Sequence, residues 1–168
     1  MSATPTGRID HDGDRHTLVL TRTFQAPIGD VWASVTEPER LERWIGTFDG
    51  DPEAGHVMFR MTAEGENVEA ERMEIRECVP PRRLALTSQV GEMRWFLELD
   101  LDEADGVTTV TFSQPDIDPA TAENVGPGWE YYLDRWVSAM SGGDVGEHDF
   151  ERDYYPAMKA YYEEQAAG

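Results

Sequence analysis

Met93-Arg94-Trp95-Phe96-Leu97-Glu98-Leu99-Asp100-Leu101-Asp102 sets Met93, Trp95, Leu97, Leu99 and Leu101 against Arg94, Glu98 and Asp100 at alternate positions. Successive side chains of a strand point to opposite faces, so this segment predicts a β-strand with one buried and one wet face. Phe96 breaks the pattern. Downstream, after the turn signal Asp105-Gly106, Val110 and Phe112 extend the apolar face into a strand over Val107 to Gln114. Upstream, period-two patterning predicts strands near Gly55 to Ala63, Val68 to Val79 and Arg82 to Gln89, with Val57, Phe59 and Met61 on the apolar side. Gly65, Pro80-Pro81 and Gly91 punctuate them, and links this short imply an antiparallel meander.

The flanks change period. Thr17 to Phe24 is β-branched and aliphatic and stops at Ala26-Pro27, which predicts a first strand and then a helix opened by Pro27, with Val31, Trp32 and Val35 three to four apart. A second short helix is expected from Glu37-Pro38, presenting Leu41, Trp44 and Ile45. After Pro119, the residues Ala122, Val125, Trp129, Leu133, Trp136 and Met140 form one helical stripe that ends at Gly142-Gly143. Gly126-Pro127-Gly128 either kinks that helix or restarts it. A last helical segment places Phe150, Tyr154, Met158 and Tyr162 four apart, with Pro156 opening or bending it. The pattern is that of an α+β domain enclosing an apolar pocket. Residues 1–16 read as a flexible lead-in, 17–168 as a single domain, and 144–168 as a C-terminal helical extension.

Composition narrows the function. A length of 168 residues with 39% hydrophobic content supports one substantial core. A formal charge of −20 repels phosphate backbones and anionic membrane surfaces, so nucleic acid and membrane insertion are not expected as partners. Apolar runs are short and interrupted by charge, and the N-terminus lacks the apolar segment of a secretory signal, so the expected compartment is the cytoplasm. Cys78 stands alone; it excludes an intramolecular disulfide and a thiolate zinc cluster, and is expected to be a small buried or half-buried side chain.

Specific residues carry a family resemblance. Phe24-Gln25-Ala26-Pro27, then Val31-Trp32, then Thr36-Glu37-Pro38-Glu39-Arg40-Leu41-Glu42-Arg43-Trp44 resembles the N-terminal signature of the branch of the START/Bet v-type (SRPBCC) superfamily named after the activator of heat shock protein 90 ATPase. Gly128-Trp129 with Leu133-Asp134-Arg135 is similar to the start of that branch's C-terminal helix. The resemblance covers about residues 17–141 and implies a helix-grip fold: a curved antiparallel sheet wrapped around a long C-terminal helix, with two short helices after the first strand. It also implies a cavity that similar proteins fill with lipids, sterols or polyketides. The segment from Asp144 to Gly168 extends past the usual last helix, and the additional domain that the eukaryotic namesake uses for chaperone work has no counterpart before the signature.

The expected cavity lining is Trp44, Phe59, Met61, Met73, Trp95, Phe112, Trp129, Leu133 and Trp136. Aromatic faces and pliant methionines suit a planar or irregular apolar ligand, although the same residues also make an ordinary core. His56, at the start of a strand beside Gly55, is either a general base at the cavity mouth or a solvated histidine. Arg60, Arg72 and Arg76 either hold a ligand carboxylate or form pairs on the outer face. His148 lies between Glu147 and Asp149, but adjacent residues rarely converge on one ion; no metal site and no cofactor are assigned. Tyr154, Tyr155, Tyr161 and Tyr162 form a lid, a homodimer contact or packing outside the main helix.

No nucleophile elbow, phosphate-binding loop, zinc-binding H-E-x-x-H or dinucleotide fingerprint occurs, and no catalytic residue is assigned. The leading expectation is a non-enzymatic protein that binds a small hydrophobic molecule: a lipid, a polyketide or an aromatic compound. The alternatives are a polyketide cyclase-like enzyme using the same cavity, which needs a titratable group facing inward, and a protein-interaction or chaperone-regulating module, which needs an exposed apolar patch beside the tyrosine-rich tail.

Overall fold

Eight strands form one antiparallel sheet: β1 (Arg8–Asp12), β2 (Arg15–Phe24), β3 (Thr47–Asp49), β4 (His56–Arg60), β5 (Glu71–Val79), β6 (Arg83–Val90), β7 (Met93–Ala104) and β8 (Val107–Gln114). The computed structural model describes residues 4–65, 68–90 and 93–168. Strand order is β1-β2-β8-β7-β6-β5-β4-β3, so the meander from β3 to β8 is consecutive and closes against the N-terminal hairpin through β2 and β8. Helices α1 (Ile28–Thr36) and α2 (Pro38–Leu41) follow β2, α3 (Ala122–Ser141) crosses the inner face of the sheet, and α4 (Lys159–Ala167) ends the chain. This is the curved sheet and long helix of the helix-grip architecture, as the family resemblance implies.

The alternation in β7 is realised. Leu99 and Leu101 are buried toward the helix, and Glu98 and Asp100 face outward to the guanidinium of Arg83. Phe96 departs from the pattern because it lies on the outer face, where the guanidinium of Arg76 sits 5.3 Å from its ring centroid; the cation covers the ring. The turn after β7 has Asp105 and Gly106 at φ 53° and 79°, the pair of left-handed residues that a two-residue hairpin needs to match strand twist. The expected turn at Gly91, and the direction of the Met93 side chain, lie outside the described residues.

Three expectations are corrected and one strand is added. Residues 1–16 are not a loose lead-in throughout: Arg8 to Asp12 pairs with β2 in the register Ile9↔Leu18 and His11↔His16. The segment has one apolar residue, Ile9, which is 5% exposed, and a strand supported by a single buried side chain leaves almost no period-two signal. Strand β3 escapes for the same reason, being three residues long at the sheet edge. The second helix is a single turn, so Trp44 and Ile45 lie in the hydrogen-bonded turns that follow it. Cys78 is exposed; a register shift between Ile75 and Glu77 breaks the regular ladder of β5 before it reaches the thiol.

The open question at Pro127 has a clear outcome. Helix α3 runs through it from Ala122 to Ser141, with Pro127 inside. An interior proline has no N–H for the preceding turn, and tertiary packing offsets the loss: Gly126 and Pro127 are both buried.

Candidate functional site

Between the inner face of β4 to β8, helices α1 and α2, and helix α3 lies a space of about 930 Å³, within the range of small-molecule pockets. All nine residues singled out from the sequence border it. Strand periodicity brings Phe59, Met73, Trp95 and Phe112 to one face, and helical periodicity brings Trp129, Leu133 and Trp136 down onto it.

These nine do different work. Trp136 is 0% exposed and stacks on Trp44 at a ring separation of 4.7 Å and an interplanar angle of 3°. Ser34 locks the pair: its Oγ accepts from Trp136 Nε1 at 2.7 Å and its carbonyl accepts from Trp44 Nε1 at 3.1 Å. With Phe24 tilted against Trp136, this end is a packed floor. Leu133, Met73 and Phe112 are also buried. Phe59, Met61, Trp95 and Trp129 are half-buried and supply the aromatic and thioether surface that remains open. Trp129 is held at 4.4 Å from Phe112, and its Nε1 donates to Gln114 Oε1 at 2.8 Å.

The opposite end is polar. Glu71, Ser88, Arg94, Gln114, Asp116, Asp118 and Asn124 border it, and Ser88 Oγ donates to Glu71 Oε2 at 3.4 Å. These residues carry no apolar signal, so a search for an apolar wall passes over them. Register was the available signal: Ser88 and Gln114 continue the inward parity of Leu84, Leu86, Val110 and Phe112.

The polar residues considered for chemistry lie elsewhere. His56 and Arg60 are not on the cavity wall, and Arg60 pairs with Asp49 at 3.1 Å. Arg72 pairs with Glu74 on the surface, and Arg76 covers Phe96. His148 bridges Ser138 Oγ at 2.7 Å and Tyr154 OH at 3.1 Å, while Asp149 turns away to accept from the backbone N–H of Arg152. Among the described residues no group of three or more His, Cys, Asp or Glu side chains is placed to share an ion.

A buried ionic network seats the C-terminal segment against α3. Glu130 is 0% exposed and accepts from Thr6 N at 2.6 Å, Thr6 Oγ1 at 2.7 Å, Gly7 N at 3.1 Å, Arg22 Nη2 at 2.7 Å and the Tyr162 hydroxyl. Burial pushes its carboxyl up, but the hydrogen bonds from Tyr162, Thr6 and Arg22 outweigh burial and hold it below its ordinary value. Arg22 also reaches Asp134 at 3.0 Å, and Asp134 accepts from Tyr154 OH at 2.7 Å. Burial and the adjacent Asp134 carboxylate push the Tyr154 phenol up; burial and Glu130 do the same to Tyr162. Tyr154, Met158 and Tyr162 are buried, so the spacing of four seen in the sequence is a docking stripe. The exposed large apolar side chains among the described residues are Met58 and Val79, and neither belongs to the tail.

The profile of the family described as Activator of Hsp90 ATPase homolog 1-like protein matches residues 25–141. Among solved structures, CalU16 from Micromonospora echinospora is similar at 25% identity and a TM-score of 0.64, covering 97% of this chain and 91% of its own. A conserved protein of unknown function from Enterococcus faecalis is similar at 16% identity and a TM-score of 0.71, over 96% of this chain and 90% of its own, a likeness of fold. No curated protein matches the chain. No helix among the described residues is long and apolar enough to cross a membrane.

Proposed function

The chain belongs to the Activator of Hsp90 ATPase homolog 1-like family, and from that premise we propose that it is a carrier that holds a small hydrophobic molecule between its sheet and helix α3. The observation that carries this reading is the space of about 930 Å³ walled by Phe59, Met61, Trp95 and Trp129. A well-packed core leaves few voids larger than a water molecule, so a space of this size with half-buried aromatic walls favours an occupant.

An enzymatic reading has one observation in its favour: Glu71 is a titratable group on the wall, beside Ser88. A general base there would act on a substrate pressed against Trp95 and Trp129. The carrier reading is preferred because Glu71 has no second acid or base at hydrogen-bonding distance in the cavity among the described residues.

Native mass spectrometry of freshly purified protein, followed by denaturing extraction, tests the proposal. A stoichiometric apolar adduct is expected, and Leu86→Trp, which fills the cavity from the sheet side, should lose it. A clean apo mass together with no saturable quenching of tryptophan emission by hydrophobic probes overturns the reading.

A further inference from the structure

We propose that the cavity selects a neutral apolar molecule bearing a carbonyl-type acceptor, and that the side-chain amide of Gln114 is the group that recognises it. This rests on the reading that the cavity holds a ligand.

Gln114 is 4% exposed, ends β8 on the inner face, and faces Leu18 across the ladder. An indole N–H is a donor only. The bond from Trp129 Nε1 at 2.8 Å therefore assigns the near atom as Oε1, and the amide Nε2 with its two N–H groups projects from the other side. No described residue accepts from that nitrogen. Among the described residues the enclosed side-chain atoms without a partner are His16 Nδ1 and Thr87 Oγ1, so Nε2 keeps open space, and the space bordering Gln114 is the cavity. A nearly buried donor held in one orientation by an indole, where the polar end meets the aromatic wall, is what fixes a ligand's pose in small-molecule sites.

The surrounding charge narrows the ligand further. Glu71, Asp116 and Asp118 border the polar end, and Arg94 is the basic side chain there among the described residues. Asp116 is paired with Arg15 at 2.7 Å, and a carboxylate or phosphate ligand would still meet the like charges of Glu71 and Asp118 in a protein of net charge −20. A cationic head offers no lone pair to the Gln114 amide. A ketone, ester or quinone oxygen offers one without charge, and an attached flat ring system fits against Trp129 and Trp95.

The test compares 6-propionyl-2-(dimethylamino)naphthalene with its 6-propyl analogue, which has no carbonyl, by fluorescence titration of the full chain. The ketone should bind about 3- to 10-fold tighter than the hydrocarbon, the range expected of one net neutral hydrogen bond, with its carbonyl stretch shifted to lower wavenumber. Gln114→Met should abolish this preference while retaining the hydrocarbon's affinity. Gln114→Glu keeps an acceptor for Trp129 and should reverse the preference. The double variant Gln114→Met with Trp129→Phe removes the indole's need for an acceptor and guards against misfolding. Equal binding of the two probes by the wild-type chain, or a preference that survives Gln114→Met, overturns the role of Gln114 and leaves the cavity reading standing. Failure of both probes to bind overturns the cavity reading itself.

Discussion

Tyr162 lays its ring directly on the backbone of Gly126: a methyl group at Gly126 would overlap the Tyr162 ring at its Cδ1. A methyl at Gly7 would likewise meet the Tyr162 hydroxyl. Two glycines therefore let one side chain of α4 reach the carboxylate of Glu130 inside the fold. The N-terminal segment, the long helix and the tail are joined at that point.

Gly126→Ala is expected to cost about 1–3 kcal/mol by overpacking. Gly128→Ala, two residues along the same helix with nothing within 4 Å of where a methyl group would sit, should be neutral or stabilise by up to about 1 kcal/mol through helix propensity. Urea denaturation of both variants measures the difference, and equal effects would show that Tyr162 does not dock as described.

Glu130→Ala removes the carboxylate and leaves Arg22 without that partner at a site where Glu130 is fully buried. Breaking such a network should cost about 3–5 kcal/mol. Limited proteolysis should then cut in the tail, and an unchanged cleavage pattern would argue that the docking is independent of Glu130.

Stability should fall at both pH extremes for identifiable reasons. Glu130 is held below its ordinary value of 4.5 in the fold, so its contribution is present above that pH and is lost as pH falls through the folded value. Tyr154 and Tyr162 are raised above their ordinary value of 10.0; their contribution is present below pH 10 and is lost as pH rises beyond it, because the unfolded chain ionises first. Denaturation midpoints across pH should show both limbs, and Tyr154→Phe should flatten the alkaline one.

Ser34→Ala leaves the buried Nε1 of Trp136 without its acceptor and should cost about 1–3 kcal/mol. Trp136→Phe removes the donor as well as indole packing. The double variant is expected to be less destabilised than the sum of the two, as contacting residues couple. Additive values in a double-mutant cycle would rule out the bond.

Cys78 is exposed and also borders the cavity, which makes it a reporter. One equivalent of a maleimide should label it, and a bound hydrophobic probe should slow the reaction. A labelling rate indifferent to saturating probe would place the ligand away from that rim.

The legible part of the fold was the part with repetition. Leu97, Leu99 and Leu101 announce a strand, and Trp129, Leu133 and Trp136 a helix, because burial on one face repeats at the period of the backbone. Strand β1 was hidden, since one isoleucine cannot show a period. Nine of the residues that border the space could be picked out by size and periodicity, but not its polar end, nor the division between the sealed Trp44–Trp136 floor and the open surface of Trp95 and Trp129, which depends on how closely α1 and the turns after α2 approach α3.

The sequence by itself determined the class of the domain, the antiparallel meander, the long helix and the family signature, all of which rest on local periodicity and short motifs. Tertiary structure alone decided that α3 continues through Pro127, that Tyr154 and Tyr162 point into the fold, and that Gln114 turns its oxygen to Trp129. Each of these depends on a partner distant in the chain, such as Thr6 and Tyr162 around Glu130, and the orientation of a polar side chain is set by whichever donor or acceptor the fold brings within reach.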